Sequence, residues 1–191
     1  MRLPTCSRRW LSVTGSLLPL TALLAPVASA ATMTPPAPCP PAAKALLDGL
    51  YRWQVARQND TGPMVLISQR QRFTPELYSR LVRAAALRPS QGGFLDFDVF
   101  SGTQVRTFGA TVQGCTRQGP TSLLASVAVQ AGLRGRTAEP PQQLRYTLQQ
   151  DNAGNWRIAE ITYLPSDPET APYTLSTILT ELLDSTSPTP P

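Results

Sequence analysis

Apolar residues in this chain recur at helical spacing near both ends and alternate in between. From 42 to 57, Ala43, Leu46, Leu47, Leu50 and Trp53 return every three or four positions, with Lys44, Asp48 and Arg52 opposite them. That spacing predicts a helix, weakened at Gly49 or open there to the approach of another backbone, and broken by Asn59-Asp60-Thr61-Gly62-Pro63. Thr74-Pro75-Glu76 supplies an N-cap, a first-turn proline and an acid, so a second helix follows with Leu77, Leu81 and Ala84 or Ala85 inward. Arg88-Pro89 ends it, and residues 64–72 form a short helix of their own.

Beyond Gln91-Gly92-Gly93 the period falls from helical to two. Phe94 to Phe100 reads as a short strand, and Val105 to Cys115 as a longer one with Phe108, Ala110 and Val112 on one face. Leu123, Ala125, Val127, Val129, Ala131 and Leu133 alternate through a third. Leu144, Tyr146 and Leu148 face inward against Gln143, Arg145, Thr147 and Gln149, and the turn 151–155 leads into a strand from Trp156 to Leu164. Leu175, Ile178, Leu179, Leu182 and Leu183 make an amphipathic last helix. Helices, then consecutive antiparallel strands, then a helix predict an α+β fold: a strongly curved sheet packed on the N-terminal helices, with a C-terminal helix. A doubly wound α/β sheet would need alternating units that the middle of the chain lacks.

The first thirty residues change the picture of where this domain works. Arg2, Arg8 and Arg9 precede a largely apolar stretch from Leu11 to Val27, and Ala28-Ser29-Ala30 follows, the three-part form of a secretory signal. Cleavage between Ala30 and Ala31 is expected, leaving a proline-rich lead (31–41), one domain (42–184) and a disordered tail (185–191). Ser7-Arg8-Arg9-Trp10-Leu11 touches a twin-arginine pattern, but Ser12 and Val13 continue it poorly, which favours general secretion. The expected place is the periplasm or the outside of a bacterial cell, with no membrane insertion after cleavage.

Charge and cysteine usage follow the same line. The chain holds 17 basic and 12 acidic residues; losing the three leader arginines leaves 14 against 12, a net charge of +2. No basic stripe with interleaved aromatics remains, so nucleic acid is not an expected partner. Arg70, Arg72, Arg80, Arg83 and Arg88 read as a solvated helix face, with Glu76 and Arg80 spaced to pair. Cys6 leaves with the leader, and Cys39 and Cys115 are expected to form one disulfide, two separate buried thiols being the alternative.

Chemistry is narrowed mainly by what is missing. The absence of histidine removes every Ser-His, Cys-His and His-ligated metal site, and neither a metal nor a cofactor is expected. Asp96 and Asp98, if extended, would project from one face about 7 Å apart, as an acid–base pair or a grip on a cation. Tyr51, Tyr146 and Tyr163 could orient a ligand beside them. The structural alternative is a turn in which the aspartates bond backbone N–H groups. Trp53, Phe97, Phe108 and Trp156 could line a pocket, or simply fill the core.

Three segments carry a resemblance. Phe-Thr-Pro-Glu-Leu at 73–77, Leu-Asp-Phe-Asp-Val-Phe-Ser-Gly-Thr-Gln at 95–104 and Asn-Trp-Arg-Ile-Ala-Glu-Ile-Thr-Tyr at 155–163 resemble domain-of-unknown-function family 3828. Val99 stands where that family's signature carries proline, and Val105 where it carries a second acid. The resemblance spans roughly residues 42–183 and implies a nuclear transport factor 2-like cone, a bent sheet around helices with a pocket at its open end. It also admits a homodimer through the sheet face. The expected function is a non-enzymatic exported module that binds a small ligand or an envelope protein through the cone. The alternative is an isomerase- or lyase-type enzyme with Asp96 or Asp98 as base and a tyrosine, Tyr146 among them, as electrophile.

Overall fold

The structure, a computed structural model, describes residues 37–58, 65–87, 95, 97–133, 136–137 and 140–185. The leader, its cleavage site, most of the lead, the end of the tail and Asp96 lie outside the described residues.

Helix α1 (Pro41–Arg57) begins on a proline at its first turn, where a missing N–H costs nothing. It buries Ala43, Leu47, Leu50, Tyr51 and Gln54, while Leu46 and Trp53 are only partly covered. What approaches Gly49 is a side chain rather than a backbone: a Cβ there would sit 2.5 Å from the Arg72 guanidinium, which would have to shift. Residues 67–72 form a short 3₁₀ helix, and α2 (Pro75–Leu87) follows, capped by Thr74 Oγ1, which accepts from the Leu77 amide. Arg80 does not close the expected pair with Glu76; its guanidinium donates to Thr180 on the last helix.

Among the described residues six strands form one antiparallel sheet: β1 (Arg106–Gly119), β2 (Ser122–Leu133), β3 (Arg136–Thr137), β4 (Gln142–Gln150), β5 (Trp156–Leu164) and β6 (Tyr173–Thr174). The spatial order is β1-β2-β4-β5-β6, with β3 paired to the end of β2. Register shifts interrupt β1 in three places and the β4–β5 pair in one. Each shift inserts an unpaired residue, bends its strand and tightens the local twist, so the sheet curves. Helix α3 (Leu175–Ser185) starts against Glu160, whose carboxylate accepts from the Ser176 amide, and buries Leu175 and Leu179.

The molecule is therefore α+β with a curved antiparallel sheet, as the periodicity predicts. The inward residues of β2, β4 and β5 meet α1, α2 and α3 in one core containing Leu47, Leu81, Val127, Leu148, Ile158 and Leu179. Cys39 and Cys115 are joined, S–S 2.04 Å, across a sequence separation of 76. Among the described residues no helix is long and apolar enough to cross a membrane.

Three further expectations fail locally. The expected strand 94–100 is not seen in its described part, Phe94 and Asp96 lying outside the described residues: from Asp98 to Thr103 the chain makes a tight turn closed by a single bridge between those two residues. Phe108 does not pack against the core with Ala110 and Val112, because the register skips it between Thr107 and Gly109; it is 41% exposed. Leu133, the last residue of β2, where the strand pairs with Arg136 of β3, is 67% exposed rather than inward.

Candidate functional site

The turn 98–103 sits where the curved sheet and α1 close on each other. Gly102 makes it feasible with φ +68°, a left-handed conformation costly for other residues, and with Tyr163 packed 2.9 Å from where a Cβ would stand. Asp98 organises the turn from both ends. Its amide donates to the Thr103 carbonyl at 2.9 Å, and its own carbonyl accepts from the Gly102 amide at 2.8 Å. Its carboxylate Oδ1 accepts from the amides of Phe100 (2.8 Å) and Ser101 (3.1 Å). The other oxygen accepts from Gln54 Nε2 and from Arg57 Nη2, the latter at 3.1 Å.

Three tyrosine hydroxyls meet the carbonyls of the same turn. Tyr163 on β5 donates to the Val99 carbonyl at 2.8 Å. Tyr51 on α1 donates to the Phe100 carbonyl at 2.8 Å, and the Tyr51 and Tyr146 hydroxyls are 2.8 Å apart. Tyr146 also lies 3.3 Å from the Phe100 carbonyl, and each phenol has one proton, so one of the two hydroxyls donates to Phe100 while the other donates to its neighbour's oxygen, the shorter contact being that of Tyr51. Burial raises all three hydroxyls well above the ordinary phenol range, which keeps them protonated and donating.

The sequence-derived residues thus divide. Asp98, Tyr51, Tyr146 and Tyr163 come together, but around the protein's own backbone. Asp96 lies outside the described residues, so the paired carboxylates are not seen as a pair. Among the described residues no three metal-ligating side chains converge.

The four aromatics expected to line one pocket are scattered. Phe97 packs edge-on against Tyr163, and Trp53 edge-on against Phe100 beneath the Arg57 guanidinium, 4.7 Å from the ring centroid. Trp156 is core, 8% exposed. Of the four, Phe108 alone borders the groove between α1 and β1, while Trp156 also edges a separate concavity beside Arg72 and Arg157.

The groove that Phe108 borders has a volume of about 710 Å³ and lies between the flank of α1 and the start of β1. Helix α1 supplies Ala45, Val55 and Ala56 to its wall, with Asp48 and Arg52 at the rim; β1 supplies Phe108, Gly109 and Ala110. Asp48 is paired with Lys44 at 2.7 Å, whereas Arg52 lies near a second guanidinium, Arg72, and the two repel. Periodicity misses this groove because a bulge, which has no sequence period, turns Phe108 out of the core and into it.

A residue with no sequence signal completes the groove's far end. The Gln58 side-chain amide bonds both the N–H and the C=O of Thr107, pairing with β1 as a neighbouring strand's peptide would. A scan against protein-family models finds no match for this chain, and searches of curated proteins and of solved structures return none either.

Proposed function

We propose that this chain is an exported bacterial binding module, built as a nuclear transport factor 2-like cone, whose binding surface is the α1–β1 groove rather than the cone's interior. The observation that carries the reading is the use of the candidate catalytic groups. Asp98 accepts from two backbone amides, an amide side chain and a guanidinium, and the tyrosine hydroxyls serve the Val99 and Phe100 carbonyls. A general base must leave its donors to take a proton, and here departure would undo the turn. The groove has the converse character: apolar walls, an aromatic edge and one cationic rim residue, the composition of a small-molecule or peptide site. The Cys39–Cys115 bridge is compatible with an oxidising compartment and so with export.

Titration with anilinonaphthalene sulfonate, an apolar anion that fluoresces when bound, tests this reading. Saturable binding should occur with one site per chain and be lost in Ala56→Trp, which fills the groove from an exposed helix position. No saturable binding, or binding indifferent to Ala56→Trp in a variant with unchanged melting temperature, would overturn it.

A further inference from the structure

β1 is an edge strand, and its outer edge is closed at two points only among the described residues. At one end the Cys115 amide donates to the Ala37 carbonyl at 2.8 Å, an antiparallel bridge reinforced by the Cys39–Cys115 disulfide. At the other end Gln58, just past the end of α1, occupies both backbone groups of Thr107. Helix α1 runs between those closures. Its 17 residues rise about 25 Å, close to the roughly 27 Å of the strand from Thr107 to Cys115, and the groove between them takes Phe108, Gly109 and Ala110 from β1.

The result is a slot with a strand edge on one side and an apolar helix flank on the other. Resting on the binding-module reading above, we infer that this groove takes an extended peptide bearing a carboxylate, added antiparallel or parallel to the open stretch of β1 between Phe108 and Gly114. Strand addition supplies main-chain hydrogen bonds along the edge, and alternate side chains would fall against Ala45, Val55, Ala56 and Phe108. The carboxylate answers the charge at the rim, where Arg52 stands while Asp48 is already matched by Lys44.

Other occupants fit less well. The chain's own C-terminal stretch, Ser187-Pro188-Thr189-Pro190-Pro191, is too poor in N–H donors to extend a ladder. The described end of the lead is already engaged, bridged antiparallel to β1 at Ala37 and tied to it through Cys39. A second copy pairing β1 to β1 must come within about 4.8 Å of the edge, and would bring its own α1, Ala37 and Gln58 into the same gap.

Short random peptides displayed on a bacterial surface and sorted against the disulfide-bonded protein test this, with Ala56→Trp as the decoy. Enriched sequences should alternate apolar residues and carry Asp or Glu. A synthetic copy should lose about tenfold or more in affinity when alternate amides are N-methylated, because the ladder is then cut. Arg52→Gln should weaken the same peptide about threefold to tenfold. Enrichment of nothing over the decoy, or equal binding of the N-methylated copy, would overturn the inference. So would a dimer in sedimentation that Ala56→Trp abolishes, since a second copy would then own the edge. If the fluorescent anion binds and no peptide is enriched, the inference falls and the binding-module reading stands; if neither binds, both fall.

Discussion

Gly102 holds a φ of +68° with Tyr163 against it, so Gly102→Ala adds both backbone strain and a contact at 2.9 Å. A loss of about 2 kcal/mol in urea unfolding is expected, since a left-handed alanine alone costs about 1–2 kcal/mol. Thr107 points the other way. It is 2% exposed and its hydroxyl has no hydrogen-bond partner, so Thr107→Val removes a buried orphan at nearly constant volume. A gain of about 1 kcal/mol is expected, and an unchanged or lower unfolding free energy would mean the hydroxyl is served by water. Asp151 supplies a pH signature. The Asn155 amide, Arg157 and the Ala153 amide favour its charged form and lower its carboxyl from 3.8 to about 2. A depressed folded value stabilises above the ordinary one and is lost as pH falls through it. The melting-temperature gap between the wild type and Asp151→Asn should therefore be full above pH 3.8 and close towards about pH 2. Legibility at this scale was uneven. The alternation Phe94, Asp96, Asp98, Phe100 imitates a strand, yet Asp98-x-x-Ser101-Gly102 is turn chemistry, and the turn prevailed because four donors reward it.

Among elements, the long regular ones were readable because a buried face imposes a period. The α1 and α2 stripes, the alternation of β2 and β4 and the hairpin into β5 all follow from which residues must avoid water. The groove was not readable, since it depends on a bulge in β1 and on the side chain of Gln58, neither of which leaves a periodic trace. The tie at the start of α1 was half-visible as two cysteines, although their pairing needed the structure. Chain entropy gives this bridge about 4–5 kcal/mol. Replacing both cysteines by alanine should lower stability by up to that amount and speed hydrogen exchange at the Cys115 amide, which rests on the Ala37 carbonyl. Fast exchange at Thr107 as well would mean that the two tethers of α1 open together.

At the scale of the whole molecule, a closed interior stands apart from an open flank. The curved sheet, α1 and the turn 98–103 share one hydrogen-bonded knot, and the groove lies outside it, meeting it only at Tyr51. Knot and groove should therefore respond to different substitutions. Asp98→Ala is the sharpest single measurement: unfolding free energy and anilinonaphthalene sulfonate affinity, taken on one sample well below its melting temperature. Losing the amide bonds and the Arg57 pair around a carboxylate that is 23% exposed should cost about 2–4 kcal/mol. The account expects that loss with an unchanged affinity for the probe. Unchanged stability with binding abolished would contradict it, and would place Asp98 in a working site instead of the fold.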